Sequence, residues 1–518
     1  MSKSRIRHKN SLVSCLVMVL FVLSTLFAPT PVDANTVEIK ILSINDFHGA
    51  LLEKDKTPGA AKLATFILNE RALNPKGTLL LSAGDMFQGS VRSNILYGQP
   101  VVEMMNNLNF NAMALGNHEF DWGVDVMRKL AKSSSFPWLA ANVIENYTNK
   151  PLPFTLPYVI TKANGINVGI IGLTTPETAY TSSMNVVSNF KFIEPKDILD
   201  QTIDDVKKAG AQVVIVVSHL GSSPGATITG EVVAITAQNN KPDAIISGHT
   251  HENVAGKVNG IPIVQALTRG HYVGEIKLLY STTENKVIDS TVQTLLVNPK
   301  NLQPNKTMEK IVARSAKKAH AIEQNVLAEA VKPIPHDRHT FSVLGELFTD
   351  FVRKDLGTDI AFINGGGLRR SLAQGKVTLG DMYDISPFDN TIVTMDITGK
   401  ELFSVLEYGI ANKTYGYIQF SGLKVEFDAS QPVGEKIIKA SLVNGEPIDM
   451  DKRYSIAVPD FMADGGDGYT IFKKGENIVN SNKVLREIFA NSIKNLKKLN
   501  IDSDGRLIEV SQSAKKAA

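Results

Sequence analysis

Cysteine is nearly absent: Cys15 is the only one in 518 residues. That excludes an intrachain disulfide framework and any metal site built on clustered thiolates. A surplus of one charge is missing as well, since 55 basic side chains stand against 52 acidic ones. So balanced a chain has no basic field with which to hold a nucleic-acid polymer or an anionic bilayer surface. Low-complexity tracts and internal repeats are not visible. The composition, 43% hydrophobic and 21% charged, is that of a globular protein.

Only one long apolar run occurs, Ser11 to Ala28. A basic head (Lys3, Arg5, Arg7, Lys9) precedes it, and the turn Pro29 to Pro31 leads on to the small-residue pattern Val32-Asp33-Ala34. Residues 1–34 therefore read as a secretory signal peptide cut at the Ala34–Asn35 bond. A retained membrane anchor is the alternative, because the run approaches the ~18 residues that suggest a span. Leu12-Val13-Ser14-Cys15 resembles a lipid-attachment box, but it precedes the apolar run instead of closing it. Cleavage takes away four basic groups and one acid, Asp33, leaving 51 of each, and it removes Cys15. The mature chain is then expected outside the cytoplasm, in periplasm, wall or medium, without stable membrane insertion.

The length exceeds one ordinary core, so two domains are expected. From Val37 onward, short apolar runs alternate with helical stretches: Val37–Leu42, Thr78–Leu81, Ala112–Leu115, Ile166–Leu173, Val213–Val217 and Ala244–Ile246 read as strands. That alternation implies an α/β domain over residues 35–300, with a largely parallel, buried sheet and helices on its faces. Tyr272–Leu279 and Val287–Thr294 read as closing strands. Thr307 to Ala330 lacks glycine and proline and reads as helix, which makes residues 301–332 a helical linker. Residues 333–510 mix strands, helices and hairpin-like turns such as Asn444-Gly445, an α+β domain, and residues 511–518 form a tail.

Five short polar pieces stand at the ends of the apolar runs: Asp46-Phe47-His48, Gly84-Asp85, Gly116-Asn117-His118-Glu119-Phe120-Asp121, Ser218-His219 and Gly248-His249-Thr250-His251. Beyond the carboxyl ends of parallel strands is where ligands sit in such sheets. Oxygen and imidazole donors without sulfur suit divalent Mn²⁺, Zn²⁺ or Co²⁺. A pair of ions needs a shared carboxylate, for which Asp85, alone after a glycine, is the candidate. Asp46, His48 and His251 would complete one shell, and Asn117, His219 and His249 the other. The spacing of two within Asp46-x-His48 and His249-x-His251 places both side chains on one side of an extended backbone. Two ions about 3.5–4 Å apart hold a bridging hydroxide and clamp the oxygens of an in-line displacement. His118 is better placed off the metals, bonding a phosphoryl oxygen or protonating the leaving alkoxide, with Asp121 fixing its tautomer. Any one of these pieces alone is an ordinary capped turn or strand end; the five in this order are not.

That series resembles the calcineurin-like metallophosphoesterases. Together with Asn364-Gly365-Gly366-Gly367-Leu368-Arg369 it is similar, more narrowly, to the 5′-nucleotidases, over nearly the whole mature chain. The resemblance implies a metallophosphoesterase sheet sandwich with helices on its outer faces, followed by a nucleotide-binding C-terminal domain that swings toward the metals. It implies Asp46, His48, Asp85, Asn117, His219, His249 and His251 as ligands of two divalent ions, and His118 with Asp121 as catalytic dyad. Residue 251 is often an amide in those enzymes and is His here. Phe388 and Phe461 match the rings that stack on a base, a contact worth about 1–3 kcal/mol with little base discrimination. Asp467 matches a ribose-hydroxyl acceptor, and Asn364 and Arg369 match ligands for base or sugar and phosphate. Arg338 corresponds to a further phosphate-binding arginine, although the local pattern departs at Gly345-Glu346-Leu347, where the family has Gly-Asn-Leu. Arg370 reads as a solvated neighbour.

The implied activity is hydrolysis of nucleoside 5′-phosphates, extending to nucleotide-sugars. A 2′,3′-cyclic-nucleotide phosphodiesterase with 3′-nucleotidase activity shares the first domain, but the loop Phe461 to Asp467 favours the 5′-nucleotidase. A non-catalytic nucleotide-binding surface protein is the third possibility, and it predicts lost ligands, none of which is missing.

Overall fold

A computed structural model describes residues 35–510 apart from 55 and 183. The leader over residues 1–34 and the tail 511–518 lie outside the described residues. Runs such as Leu79-Leu80-Leu81 are apolar at every position because their strands are covered on both faces. In Thr78–Ser82, Leu79 and Leu81 join Ile39 and Ile41 in a core between two sheets, whereas Leu80 joins Leu42 and Ile44 beneath a helical layer. The second sheet divides the same way: Val213, Ile215 and Val217 point inward, Val214 and Val216 outward.

The two sheets have six strands each. One runs Lys286–Leu296, Tyr272–Ser281, Thr36–Ile44, Thr78–Ser82, Ala112–Ala114, Trp138–Leu139. The other runs Asn253–Val258, Ile261–Ala266, Ala244–Gly248, Val213–Gly221, Ile166–Leu173, Tyr158–Ala163. In each, four successive strands are parallel; antiparallel strands flank them on one side in the first sheet and on both sides in the second. Helices Gly59–Ala72 and Gln99–Asn107 cover the first sheet, and Pro195–Lys208 the second. This is the expected sandwich. The edge strand Tyr158–Ala163 and the strand Ile261–Ala266, second from the other edge, escape the apolar-run criterion because they carry polar residues or a proline. Between Val213–Gly221 and Ala244–Gly248 the helical stretch is a 3₁₀ segment, Glu231–Ala237.

The helix expected through Ala330 ends at Glu323. Val326–Ala330 is instead a strand, antiparallel to Gly375–Thr378 and parallel to Lys498–Leu499. Its alanines and leucine favour helix by propensity, but burying Leu327, Ala328 and Ala330 in the second core overrides that weak preference. The helix Lys306–Glu323 packs on the first domain through Met308 and Ile311. The second domain is built on a five-stranded mixed sheet: Gln419–Ser421, Ile360–Ile363, Arg453–Pro459, Thr391–Thr398, Glu476–Val484. Helices Val343–Leu356 and Leu485–Leu496 cover one face. Gly399–Gly409, opened by a capping box between Thr398 and Glu401, covers the other. The domains touch at the sandwich mouth, where Asn94 Nδ2 donates to the Pro387 carbonyl (2.9 Å) and Lys54 meets Asp384 (3.0 Å).

One strand position defies its pattern. Lys40 alternates as a solvent-facing residue would, yet it is 2% exposed and held between Glu70 (2.7 Å) and Glu275 (2.8 Å). Removing one partner of so buried a cluster strands the others' charge. Lys40→Met should therefore cost about 3–5 kcal/mol in urea unfolding. Adding Glu275→Gln should recover part of it; a loss of under about 1 kcal/mol would mean that the cluster behaves like a surface pair.

Candidate metal centre and substrate cleft

All five polar pieces gather where the parallel strands of both sheets end. Asp46 and His48 follow Thr36–Ile44, Asp85 follows Thr78–Ser82, and Asn117 and His118 follow Ala112–Ala114. His219 lies within the end of Val213–Gly221, while His249 and His251 follow Ala244–Gly248. The backbone there is not extended, contrary to the spacing argument. Asp46 (φ 50°), His48 (50°), Asp85 (55°), His249 (77°) and His251 (57°) are all left-handed. Curling turns, not a strand pleat, bring the side chains together, at about 1–3 kcal/mol of strain each. Non-glycine residues in this region cluster at functional sites, because only a requirement for geometry keeps them there.

The donor set fits cations. His48 Nδ1 bonds the Gln88 carbonyl (2.9 Å), and His219 Nδ1 bonds that of Ala83 (2.6 Å). His249 Nε2 bonds a Glu177 carboxylate oxygen (3.0 Å). Each of those acceptors fixes the ring proton on the outer nitrogen, so the inner nitrogen presents a lone pair. The inner atoms face one another. His48 Nε2 is 3.0 Å from His251 Nε2, and His219 Nε2 is 3.1 Å from Asp85 Oδ2 and 3.2 Å from Asn117 Oδ1. His249 Nδ1 is 3.1 Å from that same Asn117 oxygen, and His251 Nε2 is 3.2 Å from Asp46 Oδ1. Lone pairs at such separations repel unless a cation or a proton lies between them. Two groups could each hold an ion: Asp46, His48 and His251, and Asp46, Asp85 and His219. Protons substitute when no ion is counted: His219, although burial opposes it, is pushed up to about 10 by the Asp85 carboxylate. Asp46 is lowered to about 2, burial being outweighed by His251.

Orientation comes from the surroundings. Asn45 Nδ2 donates to Asp46 Oδ2 (2.7 Å), and the Asp85 carboxylate accepts the His118 backbone N–H (2.9 Å). Glu119, fully buried and given no role by sequence reasoning, accepts backbone N–H groups from Asp85 (2.8 Å), Met86 (2.9 Å) and Gly116 (2.6 Å). It thereby ties the Asp85 loop to the Asn117 loop. Burial, with the Asp85 charge behind it, raises this carboxyl to about 7. His118 Nδ1 bonds Asp121 Oδ2 (2.8 Å), leaving Nε2 directed elsewhere. Burial lowers the His118 pKa, but Asp121 and Asp85 together raise it, which favours the imidazolium.

A cleft of about 540 Å³ opens on this cluster between the domains. Asp85, Asn117, His118, Asp121, His249 and His251 line one wall; Arg338, Asn364, Arg369, Phe388, Phe461 and Asp467 line the other. Asp46, His48 and His219 lie deeper. Phe388 stacks on His118 across the domain boundary, with ring centroids 5.4 Å apart, and the Arg369 guanidinium carbon lies 5.9 Å from the Phe388 centroid. Burial, then Arg338 and Arg269, push Arg369 down to about 10. Arg269 carries no motif and was legible only in three dimensions. Arg338 Nε and Asn364 Oδ1 are buried without a partner. Asn364 Nδ2 donates to Asp467 Oδ2 (2.6 Å), and burial raises Asp467 to about 6. Arg370 is not solvated as expected: it is half-buried and paired with Asp384 at 3.0 Å.

Glu119→Gln should reduce bound divalent metal and lower stability by about 3 kcal/mol or more, since one amide oxygen replaces a carboxylate holding three N–H groups. Metal analysis and urea midpoints check this, and a variant with wild-type values in both would remove the role.

Comparison with known proteins agrees with this geometry. The calcineurin-like phosphoesterase family matches residues 39–253, and the 5′-nucleotidase C-terminal domain matches residues 322–474. A snake venom 5′-nucleotidase of Naja atra is 27% identical in an alignment 532 positions long that covers 91% of this chain and 98% of that protein. Endonuclease YhcR of Bacillus subtilis is 28% identical in an alignment 455 positions long that covers 82% of this chain but only 37% of that longer relative. The crystal structure of a 5′-nucleotidase precursor from Thermus thermophilus is similar at TM-score 0.81 and 29% identity, over 92% of this chain and 100% of that one. A phosphoesterase sandwich with its divalent metal centre, joined to this C-terminal domain, makes the chain a member of the 5′-nucleotidase family, a phosphoric monoester hydrolase.

Proposed function

We propose that the chain hydrolyses nucleoside 5′-phosphates, and nucleotide-sugars with them, to release nucleoside and phosphate outside the cytoplasm. The observation that carries this is the shared cleft: ion-facing donors form one wall, and paired rings, guanidiniums and a buried carboxylate form the other. Its volume lies within the ~300–1,000 Å³ of small-ligand sites. Asp46, His48, Asp85 and His251 would hold one divalent ion, and Asp85, Asn117, His219 and His249 a second, with Mn²⁺, Zn²⁺ or Co²⁺ suiting the donors. Such ions, when bound, polarise the phosphoryl group and activate water.

The rest falls to the chain. Arg338 and Arg369 offset the charge of the phosphate, and the unpartnered Arg338 Nε gives it a donor. Phe388 and Phe461 receive the base, while Asp467, oriented by Asn364, accepts from a sugar hydroxyl. His118, its Nδ1–H held by Asp121, uses Nε2 to protonate the departing 5′-oxygen. The position of Phe388 against His118 supports a substrate domain that seals the reacting end from water. Among the described residues no helix is long and apolar enough to cross a membrane. The leader read over residues 1–34 is what supports export.

Phosphate release from AMP, UDP-glucose, 3′-AMP and cyclic 2′,3′-AMP tests the substrate reading, with activity expected on the first two and abolished by chelator. Cleavage of the cyclic nucleotide with AMP untouched would replace it by the cyclic-phosphodiesterase alternative. On AMP, His118→Ala should lose about 10²–10⁴-fold. On p-nitrophenyl phosphate, whose leaving group needs no proton, the loss should be much smaller; equal losses would argue against a general acid. Mass spectrometry of the exported protein should find Asn35 at its start, and an intact leader would contradict export by cleavage.

A further inference from the structure

One short stretch stands behind two of the ion-facing donors. Glu177 to Ser182 includes the helical turn Thr178–Thr181. At its start, Glu177 Oε2 is 3.0 Å from His249 Nε2. At its end, the Thr181 carbonyl is 3.3 Å from Asn117 Nδ2, and Ser182 Oγ donates to the Asn117 backbone carbonyl (2.6 Å). A carbonyl only accepts, so the amide nitrogen of Asn117 must face Thr181 and its oxygen the other way. That oxygen is the atom that meets His219 Nε2 (3.2 Å) and His249 Nδ1 (3.1 Å). The stretch is itself held within the first domain. Thr181 Oγ1 donates to the Glu177 carbonyl (2.9 Å), and Thr178 Oγ1 to that of Thr175 (2.7 Å). Thr175 Oγ1 donates in turn to Glu231 (2.8 Å), which accepts the backbone N–H of Gly221 (3.1 Å) at the end of the strand that carries His219. The first ion's ligands are oriented from elsewhere: Asp46 by Asn45 (2.7 Å) and His48 by the Gln88 carbonyl (2.9 Å). Charge separates the two sites as well. The first would have the carboxylates of Asp46 and Asp85, whereas the second has only the shared Asp85 and so depends more on how its neutral donors are aimed.

We propose that Glu177 and Ser182 are positioning residues, through which this stretch aims His249 Nδ1 and Asn117 Oδ1 at the second ion and sets that ion's affinity separately from the first's. The inference rests on the ligand assignment in the function proposed above. It also gives a reason for asparagine at position 117. An aspartate there would turn a carboxylate oxygen, which cannot donate, toward the Thr181 carbonyl.

The test titrates the full chain with Zn²⁺ or Mn²⁺ against a chromophoric chelator, which resolves two equivalents without any nucleotide. Glu177→Gln should weaken one equivalent about 10–100-fold. Ser182→Ala should weaken that same equivalent about 3–10-fold, the effect of one hydrogen bond. Asn117→Asp adds a negative charge and by Coulomb attraction alone would bind tighter. With the Thr181 carbonyl opposite, that equivalent should weaken instead. The other equivalent should keep its wild-type affinity in all three variants, which also shows that they fold. A joint fall in both equivalents, a tighter Asn117→Asp variant, or a Ser182→Ala variant with wild-type affinity at both would overturn the assignment of these roles. Should the wild-type chain bind no divalent ion, the ligand assignment itself fails, and the positioning roles with it. Should it bind two ions yet leave AMP untouched, only the substrate reading fails.

Discussion

Convergence of electron pairs governs this molecule. Three imidazoles have their protons drawn outward by carbonyls and a carboxylate, so the inner nitrogens of His219 and His249 confront carboxylate and amide oxygens, and that of His48 confronts His251, all at about 3 Å. Such an assembly is tolerable only around positive charge. Five residues in left-handed backbone and one buried Glu119 binding three N–H groups keep it from relaxing. The parallel strands of two sheets supply the rigidity, since each delivers its loop from a core covered on both sides. Function here is a strain that the fold holds in place.

The second domain answers that negative cluster with the opposite charge and with rings. Arg338 and Arg369 stand across the cleft from Asp85 and Asp121, and Phe388 reaches far enough to lie on His118. Neither wall is a complete site. The ion-facing donors belong to the first domain, and Arg338, Arg369, Phe388 and Phe461 to the second. Asp467, in left-handed backbone and buried with Asn364, shows that the second wall is as preorganised as the first.

Much of this was legible in the chain. Apolar runs at every position announce strands covered twice, and the Asp, Asn and His residues that close them fall together because parallel strands end on one side. What pattern could not give was local conformation and long-range partnership. Asp46-x-His48 looks extended and is a left-handed turn. Lys40 looks solvent-facing and is buried, because its two carboxylates come from distant elements. Val326–Ala330 looks helical, yet pairing with Gly375–Thr378 and Lys498–Leu499, far along the chain, decides it. Glu177 sits in no motif, and only the fold brings it to the cleft.

The path of the backbone between domains has a mechanical meaning. The chain crosses once, from Glu323, paired with Arg92 of the first domain, to Val326 in a sheet of the second. Only Gln324 and Asn325 lie between, and the Asn325 carbonyl already accepts the Leu379 N–H (2.8 Å). Any change of tilt between the halves must then be concentrated in a handful of torsions at this joint. A slight rotation there is multiplied along the lever to Phe388, so the bearing, and not the jaws, sets how closely they meet.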